Sequence, residues 1–413
     1  MSSAALSEPQ VLAHAKRRLF PDADERGTYA VVDTQFAGGE WLAGQAIEAS
    51  VRETLAPFNH VRVGSGYPDL VGVRTLESEL LAVERLGEEP PLIAIEAKGV
   101  TEHGGVDTQW GIVQAYDRLN EANAAYIAVP ADAVTGTDRT LARELNVGVL
   151  GVDASGRVEP VETPRVVGNR STDEATAIRF QASAQGVADK SFGLNHPKNY
   201  LGYPLACHAD GPTARLLGEY KVVRAVDDAR RGAAFLGLVE ERPDGVALTP
   251  LGREVVRFAT ARYGSVEGAL GEFEHWYRSS QCFYDLAPDW GDLARRIVFA
   301  YPATQLVVEE LQTMHEDGFD RPTLVELVRY LHAVHPTFTV ELFLRGDEDV
   351  RSRALTAEGD LRTAPLREGW SYHSPTVFQL KAMLYHTGIL TERGTEPSNL
   401  DPTEDVWALR EPV

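Results

Sequence analysis

Lysine is the scarcest of the charged residues in this chain. Only six occur in 413 residues (Lys16, Lys98, Lys190, Lys198, Lys221 and Lys381), so arginine supplies 34 of the 40 basic side chains. Cysteine is scarcer still, with Cys207 and Cys282 far apart. Neither belongs to a cluster with ligand spacing, which excludes a disulfide scaffold and argues against a cysteine zinc site. A reducing, cytoplasmic setting is expected. No apolar run reaches the length of a membrane span. Residues 1–10 lack a basic stretch followed by an apolar core, so no signal peptide is expected.

What is present in excess is acid. Sixty-one acidic residues against 40 basic ones give a formal charge of −21. Acid excess with arginine in place of lysine is similar to the composition of proteins from extreme halophiles, where a charged surface stays hydrated in concentrated salt. The plainer alternative is an ordinary acidic soluble protein. In either case net charge speaks to solubility rather than to partners, so the acidic total does not exclude nucleic acid. It does make each retained lysine informative, Lys98 above all.

At this length two or three domains are expected. Hydrophobic periodicity predicts a helix over 9–20, a strand over 29–33 and a helix over 40–57, with Ile47, Val51, Thr54 and Phe58 on one face. Strands follow over 60–63, 70–74 and 92–98, the last two separated by a charged loop over 75–91. A glycine-rich turn (103–105) precedes a helix over 107–120. A strand over 124–129, a helix over 131–145 and a strand over 147–152 complete an α/β domain with a central mixed sheet, placed at 1–160. Residues 161–200 read as a linker. Beyond it, helices lead to a strand, an Asp244-Gly245 turn, a second strand and a helix capped by Thr249 with Pro250 at its first position. That is the layout of a winged helix, placed at 201–264. Residues 265–413 form a helical region that ends in a second winged-helix-like unit, with a helix starting at Ser374-Pro375 and strands over 389–393 and 406–409.

Two stretches carry the chemistry: Pro68-Asp69-Leu70-Val71-Gly72 and Ile93-Ala94-Ile95-Glu96-Ala97-Lys98-Gly99. Period-2 alternation puts Leu92, Ala94, Glu96 and Lys98 on one face of an extended segment and Ile93, Ile95 and Ala97 on the other. Charges on a mostly buried strand are costly unless they are paired or bound to a metal. Asp69 and Glu96 on neighbouring strands could hold Mg²⁺, a hard cation that takes oxygen ligands, with the Ala97 carbonyl as a third ligand. Mn²⁺ is the alternative ion. Lys98 could orient a bound water or stabilise developing negative charge. Glu48 would reach the cluster from the preceding helix, directly or through water.

The order is a Glu on a helix, Pro-Asp at a strand start, then Glu-Ala-Lys closing an apolar strand about 27 residues later. It resembles the PD-(D/E)XK nuclease superfamily, which includes type II restriction enzymes and archaeal junction resolvases. The likeness covers residues 40–152. It implies an αβββαβ restriction-endonuclease-like core, Mg²⁺-dependent cleavage of nucleic-acid phosphodiesters, and catalytic roles for Asp69, Glu96, Lys98, Glu48 and Gln114. Many relatives carry a Gln on the following helix with a Tyr four residues later. Gln114 fits the first position, but Arg118 stands in the place of that Tyr and Tyr116 is two residues away.

Plainer roles exist for each residue. Asp69 could be a Pro-Asp turn residue, Glu48 a solvated helix acid, and Gln114 a polar helix-face residue. Glu96 and Lys98 could form a structural ion pair, though two residues on the same face of one strand are poorly disposed for it. In the first winged unit Arg224, Arg230 and Arg231 are the candidate nucleic-acid contacts, accompanied by Asp227 and Asp228; in the second, Lys381 is. The polar, basic and aromatic stretch Asn195-His196-Pro197-Lys198-Asn199-Tyr200 has no assigned role. The expected function is an endonuclease of restriction, defence or repair type acting on DNA. The alternative is a non-catalytic DNA-binding protein or regulator built on a nuclease-like scaffold. The expected partners are DNA and, for a homodimer, a second copy of the chain, with no membrane.

Overall fold

The computed structural model describes residues 6–21, 28–41, 45–77, 79–80, 90–101, 104–164, 192–243, 245–276, 279–356 and 359–412. Most of the expected 75–91 loop, His103, most of the 161–200 linker and the turn residue Asp244 lie outside them. The chain divides into two compact units, Met1–Gly186 with Ala333–Phe338, and Val187–His332 with Thr339–Val413. Residues 201–264 and 265–413, expected as separate domains, thus fall in one unit apart from 333–338.

The first unit is built on a six-stranded mixed sheet of β1 (Tyr29–Val32), β2 (Leu70–Val73), β3 (Leu92–Ala97), β4 (Ala124–Pro130), β5 (Gly148–Val152) and β6 (Val158–Glu162), in that spatial order. β1, β2 and β3 run antiparallel, β3, β4 and β5 parallel, and β6 returns antiparallel. β3, β4 and β5 read as nearly unbroken apolar runs because both their faces are covered. One face packs on α1 (Glu8–Leu19) through Val11, Leu12, Ala15 and Leu19, over Ile93, Ile95, Tyr126 and Leu150. The other packs on α3 (Thr108–Arg118) through Ile112 and Ala115, over Ala125, Ile127 and Val129, with Ala142 of α4 (Gly136–Leu145) in the same cluster. Each fully buried Leu, Ile or Val contributes about 1.5–3 kcal/mol relative to exposure.

Two expected elements differ. Residues 40–57 are not one helix. Glu40–Trp41 and Gln45–Ala46 form a short hairpin, and only Ala49–Leu55 is helical (α2), with Glu48 at its N-cap. Residues 60–63 are not a strand, because β1 already occupies the edge of β2. Instead the His60 N–H donates to Val334 O, and Val63 bridges Gly66 across Gly64 at φ 66°.

In the second unit α5 (Lys198–His208), α6 (Thr213–Glu219) and α7 (Val226–Phe235) precede a hairpin of β7 (Val239–Arg242) and β8 (Gly245–Leu248) and then α8 (Pro250–Tyr263). Thr249 caps α8 by accepting the Gly252 N–H. Further helices run from Val266 to His386. Residues 389–393 and 406–409 make isolated bridges, Leu390 to Leu409 and Thr323 to Val406, rather than a two-stranded wing.

Lys381 is not a nucleic-acid contact. Its side chain is 1% exposed and its ammonium donates to Asp405 Oδ1 at 2.7 Å. Asp405 Oδ2 in turn accepts Trp407 Nε1–H at 2.9 Å. The lysine is an internal tie between Ser374–His386 and the C-terminal segment. On α7, Arg230 faces Asp227 and Glu241, and Arg231 is paired with Asp228, so nearby acids offset both guanidiniums. Removing one partner of a buried pair leaves a charge stranded. Lys381→Ala is expected to cost about 3–5 kcal/mol in denaturant unfolding, while Lys381→Met with Asp405→Asn, which keeps an acceptor for Trp407 Nε1–H, costs less. Wild-type stability in Lys381→Ala would contradict the tie.

Candidate active site

Strand alternation sorts the side chains of β3 as its sequence suggests. Leu92 and Ala94 join the cluster containing Val31, Val71 and Val73, while Ile93, Ile95 and Ala97 join the cluster on the α1 side. Glu96 shares the face of Leu92 and Ala94. The register Val32 to Leu70 and Leu70 to Ile95 brings Asp33, Asp69, Glu96 and Lys98 to one edge of the sheet. Asp69 is 3% exposed and Glu96 2%. Asp69 Oδ2 accepts the Ala97 N–H at 2.7 Å, and Oδ1 accepts Gln35 Nε2–H at 3.1 Å. Lys98 follows the last residue of β3 and is half-buried. Its stem lies along α3 at Gly111, where a Cβ would meet Lys98 Cγ at 3.0 Å.

Arg118, the last residue of α3, is bound to the site. Its Nε donates to Glu96 Oε1 at 2.8 Å and its Nη1 to Val63 O at 2.8 Å, with the side chain 6% exposed. The 63–66 loop is further held by α3 and the turn after it, as Asp117 Oδ2 accepts the Ser65 N–H and Glu121 Oε2 the Gly64 N–H, both at 2.7 Å. Beside it, His60 Nδ1 lies 2.6 Å from Asp33 Oδ2, and its ring stacks on Tyr67.

Glu48 does not join this cluster. It is exposed at the start of α2, and among the described residues no hydrogen bond or ion pair links it to Asp69, Glu96 or Lys98. The acid that does arrive is Glu8, at the first position of α1. Its carboxylate accepts the Gly99 N–H and interacts electrostatically with Asp69 and Lys98. Gly99 is required here, because a Cβ would lie 2.1 Å from Glu8 N. The signal for Glu8 was a helix start, Ser7-Glu8-Pro9-Gln10, which forms a capping box. Nothing in that pattern says which edge of the sheet the helix end will meet.

The three carboxylates crowd a dry edge. Burial, then the Asp69 charge, pushes Glu8 up to about 7, and the same two causes push Glu96 up to about 7. Burial raises Asp69 to about 6, with Lys98 the largest opposing influence. For Glu96, Arg118 and Lys98 oppose the shift without reversing it. Gln114 lies on α3 between Gly111 and Arg118, and its Oε1 is buried without a hydrogen-bond partner. Among the described residues no group of three or more His, Cys, Asp and Glu is arranged as a ready metal cage. The donor set is nevertheless all oxygen, from Asp69, Glu96 and Glu8, with an orphaned amide oxygen on the same helix face as Arg118. Hard divalent cations bind such oxygens, and Mg²⁺ needs only one or two carboxylates.

No protein-family model, curated protein or solved structure matches the chain.

The raised carboxylates make stability depend on pH. Their folded values lie above their unfolded ones, so between about pH 4 and 7 the folded state holds more protons and stability falls as pH rises. The full penalty is present above pH 7. Without divalent metal, the stability lost between pH 6 and pH 8 is expected to shrink in Glu8→Gln and further in Glu8→Gln/Asp69→Asn, as measured by denaturant midpoints. An identical pH dependence in all three chains would contradict the crowding.

Proposed function

We propose that this chain is a metal-dependent phosphodiesterase that cleaves nucleic acid, with DNA the expected strand and with a first unit of restriction-endonuclease type. The observation that carries the reading is the meeting of Asp69, Glu96 and Lys98 at one edge of a doubly covered mixed sheet. The element order supports it: α1, three antiparallel strands, α3 and the parallel β4 follow the αβββαβ sequence of that superfamily. The helix and first strand of this core are α1 and β1, one element earlier than residues 40–63.

Asp69, Glu96 and the Ala97 carbonyl would hold Mg²⁺ or Mn²⁺, with Glu8 taking the part assigned to Glu48. A bound divalent cation supplies charge for the phosphoryl oxygens and lowers the pKa of a coordinated water. Lys98 would orient a water there or meet the charge that develops on phosphate. Gln114 would add its buried, unpartnered oxygen from α3. Arg118 holds Glu96 in place and the 63–66 loop against α3. Trp110, Val113 and Tyr116 are exposed on α3, and Tyr67 on the adjoining loop. Aromatic side chains so placed can stack bases.

One observation favours a second reading, a non-catalytic nucleic-acid-binding scaffold. Arg118 already neutralises Glu96, and both Asp69 oxygens hold N–H donors. Plasmid incubation with Mg²⁺ or Mn²⁺ in concentrated KCl separates the two. Nicking or linearisation is expected from the wild type and should fall by about 10²-fold or more in Lys98→Ala and in Asp69→Ala. Cleavage undiminished in both variants would sink the assignment, and strand binding without cleavage under either metal would leave the scaffold reading.

A further inference from the structure

The second unit holds a cavity of about 410 Å³ at the N-terminal end of α5. It is lined by His196, Lys198, Arg224, His386 and Arg393, with Asn195 and Ser279 among its polar neighbours, and no described lining residue is acidic. In a chain of net charge −21, this concave surface brings together three bases, Lys198, Arg224 and Arg393, with no acid among its described lining residues.

The hydrogen-bond inventory shows donors without acceptors. His196 is 93% buried, and its Nδ1 accepts the Lys198 N–H at 3.2 Å, which puts the ring proton on Nε2. That N–H has no partner. His386, 1% exposed, stacks on His196 with ring centroids 4.1 Å apart. It gives its ring N–H to the Gln281 backbone, so its Nδ1 is an acceptor, and that nitrogen has no partner. Arg393 gives its Nη2 to Glu396 at 3.0 Å, yet its Nε–H is buried and unpartnered. Lys198 is anchored at the cavity by donating to Val222 O at 2.7 Å. Buried donors left unsatisfied are costly, and the two orphaned ones, His196 Nε2–H and Arg393 Nε–H, point to an acceptor that enters the cavity.

We propose that this cavity binds the phosphate group of a nucleotide, either free or at the end of a strand. Phosphate offers several acceptor oxygens to converging donors, and arginine is the side chain that meets them best. The N-terminal end of α5 adds the partial positive charge of the helix dipole, its first N–H groups being taken by His196 and Pro197. The volume exceeds that of a bare phosphate and falls in the range of small-molecule sites, leaving room for sugar and base beside Asn195 and Ser279. Burial, followed by His386, Lys198 and Arg393, holds His196 well below its usual value. The proposal draws on none of the residues of the phosphodiesterase site.

Calorimetric titration of the full chain, in KCl that keeps it folded, tests it with four probes. These are deoxyadenosine monophosphate, deoxyadenosine, and a short single strand with a 5′-phosphate or a 5′-hydroxyl. The phosphorylated member of at least one pair is expected to bind about tenfold tighter or more than its partner. Preference in the mononucleotide pair identifies a free nucleotide, and preference in the strand pair alone a strand end. Arg224→Ala, at an exposed position, should erase most of that preference, and His196→Gln, which keeps a donor but moves it off the ring position, should reduce it. Lys98→Ala should keep it, so a failed nuclease assay does not decide this test. No phosphate preference in either pair, or one unchanged in both Arg224→Ala and His196→Gln, would overturn the proposal.

Discussion

The first unit depends on one arrangement, a buried acid at the end of a strand covered on both faces. Glu96 cannot sit there without compensation, and Arg118 supplies it from α3 at 2.8 Å. The same guanidinium holds Val63 O and so fastens the loop that leads to Asp69. Asp69 is then fixed by the Ala97 N–H, one residue beyond Glu96. Two strands, a helix and a loop thus meet through a few charge-assisted bonds, and the remaining candidate side chains are positioned from that junction. Buried pairs of this kind add little net stability, but losing one member is severe. That asymmetry suits a site whose geometry matters more than its strength.

Much of this was legible in the residues, for a physical reason. Alternation on β3 follows from strand geometry and needs no tertiary information, so the shared face of Glu96 and Lys98 could be read directly. The errors arose where tertiary contacts decide. Residues 40–57 carry a helix-like apolar spacing, yet Gly38 and Gly39 just before them favour turns, and a short hairpin takes the first part. Glu48 then becomes an exposed capping residue. Residues 60–63 have strand-like composition, but the edge they would pair with belongs to β1. Glu8 was invisible as a site residue because its approach depends on where α1 crosses the sheet. Arg118 stood out as a departure from the pattern the sequence resembles, though its bond to Glu96 could not be read from spacing.

The few lysines repay attention in another way. Lys16 donates to Leu55 O and Ala56 O, Lys198 to Val222 O and Lys381 to Asp405, all three side chains being buried, while Lys98 is half-buried. Lys221 alone of the five described lysines is exposed. Lysine threads an apolar stem through the core and delivers a compact charge to one acceptor, where the planar fork of arginine needs more room and more partners. A composition that replaces lysine on the surface therefore leaves it where shape requires it. Burial alone does not make such a lysine functional, as Lys381 demonstrates. Lys98 differs in standing beside three carboxylates rather than one dedicated partner.

The central claim is that this carboxylate edge is a metal site. Titration of the metal-free chain with Mn²⁺, followed by the electron paramagnetic resonance signal of the free ion, tests it without requiring cleavage. The account predicts one saturable site in the wild type, weakened by about tenfold or more in Asp69→Asn and in Glu96→Gln. Binding of equal affinity in all three chains, or no saturable binding in the wild type, would contradict it.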